Sequence, residues 1–309
     1  MIIGPAGTHR CIFCRREIID GRELTDEHVI PFALGGQIKL KKSTCETCRG
    51  ITSKFETRIL KGSFHAFRFA AGIQSRSGQP PKTLPIFAVN GVEEVRMEIP
   101  FELYPAMLTL PRFNGAVLLD NGRINAFPTK PWSAVDWDGA ERLLHQFDLK
   151  SFASMSIDVY AFSRFIAKIA HCSTISEIGT SFSPSLGGII TSDLGDNFRK
   201  YIRSRDNSAP ENFERELKHK FEISEIEVSG ITFLIGHVTL FCNLGAPTYD
   251  VVVGQKGGGF LQYPELDSED VNFLPEHRIA SYRFDMSRPS SSGLIELSAP
   301  PVDVLIRKS

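Results

Sequence analysis

Long apolar stretches are missing from this chain of 309 residues. No run of about 18 apolar residues occurs, so no membrane-spanning helix is expected. Met1–Arg10 lacks the extended apolar segment of a secretory leader, and a cytoplasmic location is the expectation. Tryptophan (2) and tyrosine (6) are scarce beside 23 phenylalanines, which points to a substantial apolar core. Neither sign of charge is in excess: 35 basic and 36 acidic residues leave a net charge of -1, so bulk charge identifies no partner. With 42% hydrophobic and 23% charged residues, the composition is that of a soluble globular protein. No internal repeat is evident. Lys256-Gly257-Gly258-Gly259 lacks the spacing and the Ser/Thr of a phosphate-binding loop and reads as a hairpin turn.

The distribution of charge is more informative than its sum. Residues 1–82 hold 14 Lys and Arg against 7 Asp and Glu, a balance of +7, and the remainder carries -8. A basic front on an acidic body is the asymmetry expected where one module approaches a polyanion.

Cysteine is also sparse, at six, but four are placed in a pattern. Cys11-x-x-Cys14 and Cys45-x-x-Cys48 are separated by 30 residues. Such pairs can each clasp one edge of a tetrahedral Zn²⁺. Disulfides are the competing reading, disfavoured by a reducing cytosol, and a redox role fits one CxxC better than two. Cys172 and Cys242 lie in apolar surroundings and read as buried, inert thiols.

Around the cysteines the chain reads as knuckle, hairpin and helix. Ile18–Leu24 and Glu27–Pro31 look extended, Leu34-Gly35-Gly36 turns, and Gln37–Lys41 returns. A helix is predicted from Thr44, with Ser43 and Glu46 as a capping box, Ile51, Phe55 and Ile59 on its buried face, and Gly62 as its stop. Phe64–Ala71 reads as a further short helix. Three prolines within 75–85 mark a linker. The expected organisation is a module over 1–74 and a body over 86–309. In the body, strands are predicted at Ile86–Val89, Glu94–Ile99, Ala116–Leu119, Ile231–Cys242 and Tyr249–Val253. Helices are predicted at Trp137–Leu149 and, long and mostly buried, at Ser156–Ile178.

Glu27 and His28 fall between the two CxxC pairs. Neighbouring strand residues face opposite ways, so the two can address a cation and a water from different angles. An imidazole titrates near neutrality and can serve as general base. A carboxylate suits a hard divalent cation such as Mg²⁺ or Mn²⁺. A four-thiolate zinc has no open position and would be structural.

Together, Cys11-x-x-Cys14, Glu27-His28-Val29-Ile30-Pro31, Leu34-Gly35-Gly36 and Cys45-x-x-Cys48 resemble the four-cysteine branch of the HNH endonuclease family. The resemblance covers about the first fifth of the chain. It implies a ββα-metal fold, so that the whole is an α+β protein: a small zinc-bound module followed by a larger mixed body of unknown fold. It further implies His28 as general base, Glu27 as metal ligand, and a nucleic acid substrate, with double-stranded DNA the expected partner.

One position departs from the family pattern. An Asn or His that usually follows the last cysteine is here Arg49, which has no lone pair for a cation. Nor is the family's middle Asn evident between Gln37 and Lys42. Either the nuclease is degenerate or a substitute ligand comes from the helix. Glu56 is the best chemical candidate, ahead of Ser53 and Thr52. Ile51–Glu56 is similar to a subgroup of bacterial HNH proteins that also lack the Asn.

Arg15, Arg16, Lys39, Lys41, Lys42, Arg49, Lys54, Arg58 and Lys61 are read as phosphate contacts, against the plainer reading of a solvated face. His171 and His237 read as hydrogen-bonded core residues. The leading expectation is a metal-dependent endonuclease, bacterial or phage-linked with phage defence as one setting. The alternatives are a non-cutting nucleic-acid binder on a degenerate frame and a zinc-stapled interaction scaffold.

Overall fold

The computed structural model describes residues 9–18, 23–70, 72–73, 79–90, 93–113, 115–120, 131–153, 157–191, 198–207, 219–257, 279–280 and 283–285. Parts of the expected first strand (19–22), of the linker (75–78) and of the Lys256–Gly259 turn lie outside them.

The front of the chain is built around two hairpins. Strands β1 (His9–Arg10) and β2 (Glu17–Ile18) bracket the first CxxC. Strands β3 (Leu24–His28) and β4 (Lys39–Cys45) pair antiparallel, Glu27 opposite Leu40 and His28 opposite Lys39. Their register shifts between Thr25 and Glu27. Lys42 takes up the slack at φ 44° while its N–H bonds Asp26. Between the strands, Gly35 adopts a left-handed φ of 85°, and a Cβ on Gly36 would come within 1.9 Å of the Ile30 carbonyl oxygen. The paired glycines are thus required for two different reasons.

Helix α1 spans Glu46–Lys61 and buries Cys48, Thr52, Phe55 and Ile59. Its start differs from the predicted capping box. Cys45 is the N-cap, without a side-chain cap, and the Ser43 hydroxyl donates to the Leu40 carbonyl. Pairing of Thr44 and Cys45 with Thr25 and Leu24 keeps them extended, so the strand overrides the local capping signal. Gly62 ends the helix, its N–H on Arg58 O, and α2 (His65–Ala70) follows.

In the body, β5 (Thr83–Asn90) and β6 (Glu93–Pro100) form a hairpin, and β7 (Met107–Leu110) pairs with β8 (Trp132–Val135). Residues 83–85, assigned above to the linker, belong to the first of these strands. Helix α3 (Trp137–Gln146) is capped by Asp136, and β9 (Ser151–Ala153) adds to β5. After β10 (Ile157–Asp158), the longest helix, α4, runs over Val159–Ile178 with Asp158 accepting from the Ala161 N–H. Strand β11 (Phe182–Pro184), α5 (Gly187–Thr191), α6 (Phe198–Tyr201) and β12 (Ile202–Arg205) lead to β13 (Lys220–Val228), β14 (Ile231–Thr239) and β15 (Thr248–Lys256). These last three form an antiparallel meander, with β11 and β12 sharing the far edge of β15. Short strands at Ile279–Ala280 and Arg283–Asp285 pair with β10 and β9.

Ala116–Leu119 is a turn, not the strand its composition suggests. Its N–H groups bond Arg199 O, Lys200 O and the Asp120 carboxylate rather than a neighbouring strand. Cys242, expected to be buried, is only partly so. Among the described residues no helix is long and apolar enough to cross a membrane.

Fifteen of the twenty residues of α4 are buried, because it lies between the meander on one side and α1 on the other. Phe64, just after α1, packs edge-on against Phe162 and Phe165 of α4 and against Phe241. One apolar core therefore runs from Cys11 through to Val253, and the zinc-knuckle end is not separately filled.

Candidate functional site

The CxxC pairs converge. Cys11 and Cys14 sit on a knuckle closed by the Arg15 N–H on Cys11 O, Cys45 ends β4, and Cys48 lies in the first turn of α1. All four sulfurs fall within 4.8 Å of one another, and Cys14 and Cys45 are 3.8 Å apart. Tetrahedral zinc with bonds of about 2.3 Å needs sulfurs about 3.8 Å apart, so the set fits Zn²⁺ and leaves no open position. Burial pushes the Cys11 thiol up to about 11 and raises Cys48 further, where the neighbouring sulfurs add to the effect. Cys11 and Cys48 are thus poor thiolates until a cation joins them.

The hairpin sends Glu27 and His28 to opposite sides. Glu27 is buried beneath α1 and α4, whereas His28 is half-buried beside the ring of Phe32, with centroids 6.5 Å apart. Exposed Phe32 and Ile38 flank this edge.

Glu56, nearly three turns into α1, points at the same interior spot as Glu27. Between them lies the ammonium of Lys168, from the middle of α4 and fully buried. It is 2.8 Å from Glu27 Oε1 and 3.0 Å from Glu56 Oε1. It also donates to the His28 carbonyl and reaches Val29 O at 3.4 Å. The Glu56 contact is Coulombic, since that oxygen receives no aligned N–H. Burial alone would lower the Lys168 amine, yet Glu56 and Glu27 outweigh it and hold it above its ordinary range. Burial raises the Glu56 carboxyl, and Glu27 adds to that. The ammonium stays charged.

Two further basic side chains of the body reach the same module. His171 is within hydrogen-bond distance of Ile12 O (2.9 Å), and His219 Nε2 donates to Leu34 O (2.8 Å) while its Nδ1 accepts from Phe241 N–H. Lys168, His171 and His219 thus each hydrogen-bond a main-chain carbonyl of the front segment, at His28, Ile12 and Leu34. Sequence reading passed over Lys168, but a signal was there. It falls three residues after Phe165 and four before Cys172, on the buried stripe of α4, where an unpaired lysine would be prohibitively costly.

Arg15, Arg16, Lys39, Lys41, Lys42, Arg49, Lys54, Arg58 and Lys61 are all exposed. Arg49 leans on Glu46 at 2.5 Å and Arg58 on Asp158 at 2.7 Å. A separate polar chain crosses the meander: the ring of His237 contacts Ser224 and Asp250 at 2.7 Å each, and Asp250 takes Arg205 through both oxygens and Arg203 through one. Burial would raise Asp250, but His237, Arg205 and Arg203 hold it well below the usual carboxylate range. The buried carboxylate joins β12, β14 and β15.

Residues 11–61 match the family model described as HNH endonuclease. The front of this chain is an HNH module. The match ends with α1, so the body, including Lys168, lies outside it. No curated protein and no solved structure matches the chain.

The family resemblance also implies a divalent cation at the HNH module's Glu27, and there the residues present do not fit. Both carboxylates aimed at that spot already share an ammonium. Arg49 stands where the helix ligand belongs. Among the described residues only the four cysteines bring three or more metal-ligating side chains together.

Proposed function

We propose that this protein acts on nucleic acid through its HNH module and hydrolyses phosphodiester bonds there, with His28 as general base. The observation that carries this reading is the placement of a half-buried imidazole on a hairpin clamped by four converging sulfurs. Exposed cations on β4 and α1 supply the attraction for phosphate. A water deprotonated by His28 would attack phosphorus in line, and the leaving oxygen would depart opposite it. Phe32, exposed beside His28, offers a flat face to a base splayed from its stack. DNA is the preferred substrate on this reading, and double-stranded DNA the form in which it is met.

Binding without cutting is the second reading. The occupied carboxylate pair and Arg49 favour it, since both remove ligands that a metal-dependent nuclease would use. Plasmid nicking by the zinc-loaded full chain separates the two. His28→Ala should abolish nicking with zinc content unchanged. Salt-sensitive retention of DNA, with no nick under any divalent cation, would leave only the binder.

A further inference from the structure

The carboxylate pair of the HNH module is filled from outside the module. Glu27 comes from β3, Glu56 from α1 and Lys168 from α4, so three elements meet at one point with no exposed side chain between them. The lysine side chain has no exposure at all, and the Glu27 side chain is 8% exposed. A monovalent ammonium here does what an inorganic cation would do for two converging carboxylates. It sits within hydrogen-bonding distance of both and takes its remaining directions from the His28 and Val29 carbonyls.

We propose that Lys168 is the resident cation of this HNH site: it occupies the Glu27–Glu56 pair, excludes a divalent metal from it, and positions the strand that carries His28. Three observations carry this. The ammonium is held by four oxygens, two of them on the His28–Val29 backbone. A metal entering from solvent must expel a charged group whose side chain has no solvent exposure, and moving a buried charge out of its ion pair is costly. The helix residue that would complete a metal site is Arg49, whose exposed guanidinium pairs with Glu46 and has no lone pair to offer a cation. The centre of the module is therefore completed by the body, and Lys168 is a positioning residue for His28 rather than a group in contact with substrate.

The inference rests on the reading of Glu27 and His28 as the module's centre. Metal occupancy is measured without nucleic acid, so that it and the cleavage reading fail separately. Zinc-loaded full chain is titrated with Mn²⁺ and free Mn²⁺ is followed by electron paramagnetic resonance. Wild type is expected to bind no Mn²⁺ below millimolar concentrations. Lys168→Ala, which removes the ammonium and opens its space, should bind one Mn²⁺ at least about tenfold more tightly, and Glu27→Gln added to it should remove that site. A single wild-type site filled at micromolar Mn²⁺ and lost in Glu27→Gln would overturn the proposal, as would a Lys168→Ala protein that folds yet binds no Mn²⁺. Amine labelling of wild type read by mass spectrometry keeps the test decisive if the variant does not fold. Lys168 should stay unlabelled with and without Mn²⁺, whereas labelling that rises with Mn²⁺ would mean the metal displaces it.

Discussion

Lys168→Met replaces the buried ammonium by an apolar chain of similar length, leaving Glu27 and Glu56 facing each other in the core. Breaking a buried ion pair from one side costs about 3–5 kcal/mol, most of it the penalty on the charge left behind. With total stability on the order of 5–15 kcal/mol, the variant should still fold. The loss should also depend on pH. Glu56 is already raised by burial, and without the lysine it rises further. A carboxyl whose folded value lies above its unfolded one favours the folded state at low pH, and that contribution disappears as pH climbs through the folded value. Acidification should therefore shrink the deficit of Lys168→Met relative to wild type. Urea unfolding of both proteins at pH 5 and pH 7.5 measures it. Adding Glu27→Gln and Glu56→Gln should recover most of the loss at pH 7.5, because no buried charge then remains. A deficit below about 1 kcal/mol at both pH values would refute the ion-pair account, since that is the range of a solvent-exposed pair.

Cys48→Ser should lower bound zinc from one to none per chain by elemental analysis, and strong chelation of wild type should depress the melting temperature, since both dissolve the clamp under His28. His171 is held down to about 4 by burial, which outweighs its bond to Ile12. Its folded value lies below the ordinary 6.5, so stability is lost as pH falls from 6.5 toward 4, by up to about 3 kcal/mol. His171→Gln, which keeps an N–H for Ile12 O, should flatten that slope in pH-dependent unfolding. Gly36→Ala drives a Cβ into the Ile30 carbonyl, where backbone has to move. A loss of about 1–3 kcal/mol is expected in denaturant titration, and a neutral result would mean the loop is not tightly closed there.

Much of the HNH module was legible because its determinants are local. CxxC spacing, a Pro after a β-branched pair and two adjacent glycines act over a few residues each, and α1 carries its own apolar period. The long α4 was legible for the same reason, with Phe165, Ile169 and Cys172 at helical spacing. What failed was set by distant partners. Ser43 lost its capping role because Thr44 and Cys45 pair with β3, twenty residues away in sequence. Ala116–Leu119 has strand-forming side chains but spends its N–H groups on a turn and on residues 199–200. Lys220–Val228 alternates apolar and polar residues except at Ser224-Glu225, where the phase switches, and that break hides the strand from a period-two reading. At the site, Glu27, His28 and Glu56 were within reach of motif reading. Their partner Lys168 was not, because no spacing rule joins residue 27 to residue 168.

Three carbonyl oxygens of the front segment, at Ile12, His28 and Leu34, each take their proton from a side chain more than 130 residues downstream. Fragments that stop before α4 would strand all three, together with two acids stripped of their counter-ion. Such a cassette is not one that recombination can lift out and graft onto a new carrier. Any shuffling of this gene that preserves the hairpin has to carry the long helix with it.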